Sequence, residues 1–363
     1  MPPHPQRHTM IDEHDLRHVL EHTRDLWTDL RDERLFITGG TGFVGTWLVT
    51  SFLHANRELG LRARASILTR DPTAARARLD ELGAGPEVDV VSGDGSDFPF
   101  PSGRFSFVIH AATQRAFAPD AARPLGLIAP DVRMTRRVLD FACASDTSRM
   151  LFTSSGAVYG RQPPALATID EEYSGAPLPT DTDAVYGHSK RTSEVMCALY
   201  ARATRINVSI ARLFEFIGPL LPLDEGSAAG NFIGDALAGR TIRSSGDGTP
   251  LHTYLYAADL AIWLWTILIA GRSGRAYNTG GAEALSIAAL ARLVAVEAPG
   301  AAGIDFALRP QPGAAPARYV PDTQRAQNEL GLRAHIPVRE ALRRTLRWQR
   351  ERLSKASRST AGR

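Results

Sequence analysis

Up to residue 211 the chain alternates short apolar runs with longer stretches of helical periodicity. Leu35-Phe36-Ile37, Ala65–Thr69, Val88–Ser92, Phe107–His110, Met150–Ser154 and Asn207–Ala211 read as strands. Helical patterns near 46–57, 72–82, 132–144 and 186–203 separate most of them. Strands alternating with helices predict βαβ units, a parallel sheet and a doubly wound α/β (Rossmann) fold. Before this core, residues 11–32 predict a helix capped by Asp12 or Asp15, with Leu16, Leu20, Leu26, Trp27 and Leu30 as its apolar stripe. Residues 1–9 have the composition of a disordered segment.

Past residue 212 the alternation breaks down. A Pro/Gly-rich stretch at 218–230 leads to a predicted helix at 231–238 and a turn-rich segment at 244–250. Apolar residues return at 254–270, where a buried helix carries Trp263 and Trp265, and again at 276–279. A helix at 286–297 starts at Ser286 as its N-cap. A Pro/Ala-rich loop at 308–317 precedes two terminal helices and a frayed end from 354. The pattern predicts an extension at 1–33 and a nucleotide-binding domain at 34–211 plus 252–280. A smaller, discontinuous α/β C-terminal substrate lobe follows at 212–251 plus 281–350, with a tail at 351–363.

Composition narrows the class. The 363 residues are 44% hydrophobic and 22% charged, ordinary for a soluble globular protein. A net charge of +3 gives no reason to expect nucleic acid or a membrane as partner. The apolar run Leu260–Ala270 is too short for a bilayer span, which needs about 20 residues. No secretory signal is visible, so a cytoplasmic protein is expected. The two cysteines, Cys143 and Cys197, lie in apolar helical patterns and read as buried free thiols; no metal-ligand spacing exists.

Three segments carry chemistry. Thr38-Gly39-Gly40-Thr41-Gly42-Phe43-Val44-Gly45 follows a strand and opens a helix, the context in which small residues let a pyrophosphate reach free helix N–H groups. Gly39, Gly42, Phe43, Val44 and Gly45 are therefore expected to bind a dinucleotide. At the tip of the second strand an acid would hold the ribose 2′-hydroxyl, and an Arg would accommodate a 2′-phosphate. Thr69-Arg70 leans towards NADP, while the neighbouring Asp71 keeps NAD open. Asp94 is a candidate for the adenine amine, or a loop Asp capping its own backbone. Last, Tyr186 and Lys190 stand four apart on one helix face. There the ammonium is expected to pull the phenol down from its ordinary pKa near ~10.

In their order, the glycine loop, His110-Ala111-Ala112, Thr153-Ser154-Ser155-Gly156-Ala157-Val158-Tyr159-Gly160 and Tyr186-x-x-x-Lys190 resemble the extended short-chain dehydrogenases/reductases. Within them the chain looks like an NAD(P)-dependent nucleotide-sugar epimerase/dehydratase over roughly residues 34–345. The resemblance implies Tyr186 as acid/base, Lys190 as its partner on the nicotinamide ribose, and Ser155 on the reacting sugar oxygen. It also implies Ala111 and Ala112 at the cofactor and a homodimer through the helix bearing Tyr186. Tyr159 and Ser154 read as structural.

The chain departs from the family where the reaction is decided. Members that dehydrate at C5–C6 resemble one another in an Asp-Glu pair after the strand-end hydroxyl, and here those positions are Gly156 and Ala157. This disfavours dehydration, and decarboxylation that needs a Glu there. What remains is C4 chemistry on a nucleotide-activated sugar, with 4-ketosugar reduction preferred slightly over 4-epimerisation with retained NAD. Glu215 replaces an Asn that normally faces substrate, His252 replaces an Arg that clamps the diphosphate, and Asp131 replaces another Asn. Asn231 and Arg318 remain candidate substrate contacts beside His252. Glu215 and His252 also keep open a non-catalytic dinucleotide-binding module.

Overall fold

The computed structural model describes residues 10–113, 128–224 and 226–361, with side chains described to residue 355. The segment at 1–9 lies outside the described residues. The chain opens with α1 (Glu13–Thr23), β1 (Arg34–Thr38), α2 (Phe43–Glu58), β2 (Arg64–Thr69), α3 (Pro72–Glu81) and β3 (Val88–Ser92). Next come β4 (Phe107–His110), α4 (Ile128–Ala144), β5 (Arg149–Ser155), α5 (Val185–Ala203), β6 (Asn207–Leu213) and β7 (Glu215–Ile217). The second half contains α6 (Ala228–Leu237), β8 (Thr241–Ser244), β9 (Leu251–Tyr256), α7 (Ala257–Ala270), β10 (Ala276–Thr279) and β11 (Ala284–Ser286). It closes with α8 (Ile287–Glu297), β12 (Gly303–Phe306), β13 (Arg318–Tyr319), α9 (Gln324–Leu330) and α10 (Val338–Ala361).

Seven parallel strands form the main sheet in the order β10-β6-β5-β4-β1-β2-β3. The centres of its inner strands are continuous apolar runs, as in Leu35-Phe36-Ile37, Phe107-Val108-Ile109 and Met150-Leu151-Phe152, because both faces are covered. In β1, Leu35 and Ile37 enter one core cluster while Phe36 enters the other; in β4, Phe107 and Ile109 divide from Val108 in the same way. The order reverses between β1 and β4, which places a ligand crevice at their carboxyl ends.

The N-terminal helix is part of the core. Asp12 caps it, its carboxylate accepting from the His14 amide at 2.8 Å, while Asp15 is buried. After Thr23 the predicted helix tightens into a 3₁₀ turn, Arg24–Leu30, with Trp27 packed 4.6 Å from Trp265 between ring centres. Tyr256 donates to Asp15 at 2.5 Å, and Arg344 of α10 reaches the same carboxylate at 2.6 Å. His18 Nε2 lies 2.9 Å from Asp259 of α7. With α1 on its outer side, α7 is buried along nearly its whole length, which is why it is apolar all round.

β7, β9, β11 and β13 build a smaller sheet beside the main one. β9, which the sequence pattern assigns to the nucleotide-binding domain, is thus hydrogen-bonded in the smaller sheet, while β10 joins the main one. Three further expectations are corrected. Helix α6 starts at Ala228 with Ser227 as its cap, because that hydroxyl accepts from the Gly230 amide at 3.0 Å. Cys143 is exposed on α4, whereas Cys197 is buried. The terminal helix runs on through 354 to Ala361.

Candidate active site

The turn from β1 into α2 forms one wall of a cleft of about 1070 Å³ at the sheet's carboxyl edge. Gly39 holds φ +73°, and a Cβ there would lie 2.7 Å from the Ala112 amide nitrogen. A Cβ on Gly45 would lie 2.0 Å from the Gly39 carbonyl, so only glycine lets the helix start so close to the loop. Thr38 fixes the opposite wall: its hydroxyl accepts from the Ala112 amide at 3.1 Å and contacts His110 Nδ1 at 2.8 Å. Burial pushes His110 down to about 3, and its Nε2 contacts Thr135 at 3.1 Å, so it is a neutral strut between the strand ends and α4.

These residues fit a dinucleotide. The N-cap of α2 is Gly42, which offers no side-chain oxygen to the first turn. The buried Thr46 hydroxyl, on the cleft wall, has no hydrogen-bond partner among the described residues. Phe43, Val44, Ala111 and Ala112 also line the cleft. At the far end, Arg70 stands on the wall while the Asp71 carboxylate caps α3, accepting from the Ala74 amide at 2.9 Å. Asp94 faces the cleft too, but one of its oxygens takes the Ser96 amide at 2.9 Å. The pattern of the sequence did not reveal Arg78 and Arg352, which come to the same cleft from α3 and α10.

Tyr186, Lys190 and Ser155 are brought together by the first turn of α5 and the end of β5. Burial pushes the Tyr186 phenol up to about 12; hydrogen bonds with Ser155 and Thr113 act the other way, and the Asp131 charge adds to the rise. The expected direct effect of the lysine is not what the protein alone delivers. Lys190 Nζ sits 5.8 Å from the centre of the Tyr186 ring and donates to the Thr153 carbonyl at 3.0 Å. Burial lowers Lys190 to about 8, opposed first by the charge of Asp131. Asp131, noticed in the sequence only as a departure, is therefore the countercharge of the lysine, and Ser189 donates to it at 3.2 Å.

The neighbouring polar residues form a buried frame. Ser154 donates to Glu194 at 2.5 Å, and Arg212 holds the same carboxylate through Nε at 3.0 Å and Nη2 at 2.7 Å. Arg212 also donates to the Tyr159 hydroxyl at 2.7 Å, which in turn donates to Asn278 at 2.7 Å. This ties β5 and β6 to β10, and it is where Tyr159 and Ser154 are engaged.

The smaller sheet supplies the remaining wall. Glu215 and His252 come within 3.8 Å of each other; burial pushes the carboxyl up to about 6 and the imidazole down. Tyr319, not singled out by any motif, stands beside Ser155, which eases ionisation of its phenol against burial. Arg318 is paired with Leu251 at the adjacent register position, its Nε buried without a hydrogen-bond partner among the described residues. Asn231 lies one turn inside α6, half-buried. Among the described residues no His, Cys, Asp and Glu cluster is arranged to hold a metal ion.

A Rossmann sheet with a glycine turn, and a Tyr-Lys-Ser set at the same edge, define a dinucleotide-dependent oxidoreductase fold. The chain belongs to the NAD dependent epimerase/dehydratase family, whose profile matches residues 35–280, more than half of its length. It is 26% identical over 321 residues to UDP-glucuronic acid decarboxylase 1 of Xenopus tropicalis, covering 88% of this chain and 73% of that relative. UDP-glucose 4-epimerase of Thermotoga maritima, solved with UDP-glucose, superposes with a TM-score of 0.74 at 18% identity, over 88% of this chain and 99% of that one. dTDP-glucose 4,6-dehydratase of Streptomyces venezuelae, solved with NAD, gives a TM-score of 0.73 at 25% identity over 88% and 97% of the two chains. The chain is thus an enzyme of the NAD dependent epimerase/dehydratase family. No described helix is long and apolar enough to cross a membrane.

Proposed function

We propose that the protein interconverts an alcohol and a ketone at C4 of a nucleotide-activated sugar, working as an NADPH-dependent 4-ketosugar reductase. The observation that carries this reading is the Ser155–Tyr186 hydroxyl pair beside a dinucleotide cleft, followed by Gly156 and Ala157, which bear no acid. Dehydration and decarboxylation each need proton transfers beyond C4, and nothing at 156 or 157 serves them.

A bound nicotinamide cofactor would supply the hydride. Ser155 and Tyr186 hold the sugar oxygen between two hydroxyls. As the carbonyl carbon becomes a carbinol, the Tyr186 O–H bond breaks and the proton passes to that oxygen, leaving a phenolate. Lys190 and Asp131 set the local charge, and burial keeps water from competing. Arg70 on the cleft wall, with Asp71 committed to capping α3, supports a 2′-phosphate and hence NADP over NAD.

Purified protein mixed with NADPH and a nucleotide 4-ketosugar should consume the cofactor one for one with substrate. Interconversion of C4 epimers without net NADPH loss would overturn reduction in favour of the retained-NAD epimerase. The family's homodimer is proposed as well, supported by Val195 (60% exposed) and Leu199 (48%) on the outer face of α5.

A further inference from the structure

The wall opposite Tyr186 is made of residues that the reductase reading does not use. A Cβ on Gly156 would stand 2.7 Å from the Tyr319 hydroxyl and 2.7 Å from Phe214 Cζ. The place where a side chain at 156 would project is therefore filled by the phenol of β13. The Ser155 hydroxyl stands beside both phenols and eases the ionisation of each, while the charge of Tyr186 opposes that of Tyr319.

Behind Tyr319 the register assembles a titratable face. Tyr319 pairs with His252, and Glu215 with Tyr254, two positions further along β9. Side chains at paired and alternate positions share a face, which places all four residues together. The His252 ring lies 5.6 Å from that of Tyr319 and 6.4 Å from that of Tyr254. The Tyr254 hydroxyl is buried with no hydrogen-bond partner among the described residues. Tyr319 is faced from β5 by Ser155, from the following turn by Tyr159, from α5 by Tyr186, from β7 by Glu215 and from β9 by His252. Among the described residues the nearby cations are committed elsewhere: Arg212 to Glu194, and Lys190 to Thr153 with Asp131 beside it. Arg318 occupies the alternate position of β13, on the other face from Tyr319.

We propose that Tyr319, with Glu215 and His252 behind it, is the specificity element of the site. It selects a neutral hexose presenting a hydroxyl next to the reacting carbon over a sugar bearing a carboxylate. The inference rests on the nucleotide-sugar reading but not on the direction or kind of chemistry at C4. Tyr319 offers a neutral phenol to that hydroxyl, because burial and the Glu215 charge both oppose its ionisation. A uronic acid would instead bring its carboxylate to a wall whose charge is the Glu215 carboxylate, with a deprotonated imidazole beside it. An anion brought against a partly buried carboxylate is disfavoured by like-charge repulsion.

Binding decides the matter without turnover. Calorimetry at pH 7.5 with the full-length protein would compare UDP-glucose, UDP-glucuronic acid and UDP alone. UDP-glucose should bind about tenfold or more tighter than UDP-glucuronic acid, with UDP showing what the sugar adds. Glu215→Gln should narrow that gap to about threefold or less by strengthening the acid sugar. Tyr319→Phe, which keeps the ring against Phe214, should weaken UDP-glucose several-fold and leave UDP unchanged. Wild-type discrimination should also shrink at pH 5, where Glu215 takes up its proton while the uronic acid stays ionised. Equal or tighter binding of UDP-glucuronic acid overturns the proposal, as does a gap that Glu215→Gln leaves intact. If neither sugar adds to UDP, the nucleotide-sugar reading falls with it; selective binding without NADPH consumption would sink only the reductase reading.

Discussion

The ammonium of Lys190 lies 3.0 Å from the carbonyl oxygen of Thr153 and 5.8 Å from the centre of the Tyr186 ring. Its charge is anchored to the end of β5, and the Tyr186 phenol is governed instead by burial, by Ser155 and Thr113, and by the Asp131 charge. Because burial lowers Lys190 to about 8, the charge is present at neutral pH and lost on mild alkalinisation. Activity should therefore fall as pH rises through about 8, and Lys190→Met should remove that limb along with most of the activity. Stability should move the other way. Between about 8 and the ordinary lysine value of 10.5 the unfolded chain binds the proton that the folded chain has lost, so unfolding free energy rises with pH. Thermal melts at pH 8 and pH 10 should show this increment in the wild type and lack it in Lys190→Met.

Tyr186→Phe removes the only proton that the phenol gives to the sugar oxygen. Turnover should drop by about 10²- to 10⁴-fold, the usual worth of a positioned general acid. Cofactor affinity, measured by fluorescence titration, should stay within about twofold. A comparable loss of cofactor binding would mean that the phenol is part of the cradle instead.

Arg70 is the residue on which the cofactor preference turns. Arg70→Ala should weaken NADP binding about 10- to 100-fold, the range of a lost charge-assisted hydrogen bond of about 1.5–3 kcal/mol, and leave NAD little changed. Titrating both cofactors against both proteins measures the ratio directly. An unchanged ratio would hand the role to Arg78 or Arg352, which share the cleft.

The frame around Glu194 should respond in stability more than in chemistry. Arg212→Ala strands a buried carboxylate and should cost about 3–5 kcal/mol in urea unfolding. Tyr159→Phe removes one hydroxyl shared by Arg212 and Asn278 and should cost about 1–3 kcal/mol. Neither hydroxyl nor guanidinium contacts Tyr186, so the Tyr159→Phe protein should keep its pH profile.

What could be read from the sequence was whatever local periodicity and spacing encode. The strands from β1 to β6 are apolar on both faces, and the glycine loop, Tyr186, Lys190 and Ser155 stand at fixed offsets from them. The smaller sheet was opaque because its strands are two to six residues long and are paired across distances that leave no local signal: Tyr319 meets His252 from 67 positions away. Asp12 and Asp15 were equivalent as caps on paper; only the depth of Asp15, beneath Tyr256 and Arg344, separates them. The lowering of Tyr186 expected from Lys190 failed because spacing on a helix fixes which face a lysine shares, not which carbonyl it answers to.

The N-terminal helix changes what exchange of parts this protein can tolerate. The span it shares with its family starts at residue 35, after α1 and the Trp27 turn. Yet the outer surface of α7 is apolar because those residues rest on it, and Asp259 divides its oxygens between His18 and the amides of His335 and Ile336. Grafting a relative's nucleotide-binding core onto this chain would have to carry α1 and α7 as a matched pair. Moved singly, either one would leave the Trp265 side bare and the molecule prone to stick to its own copies.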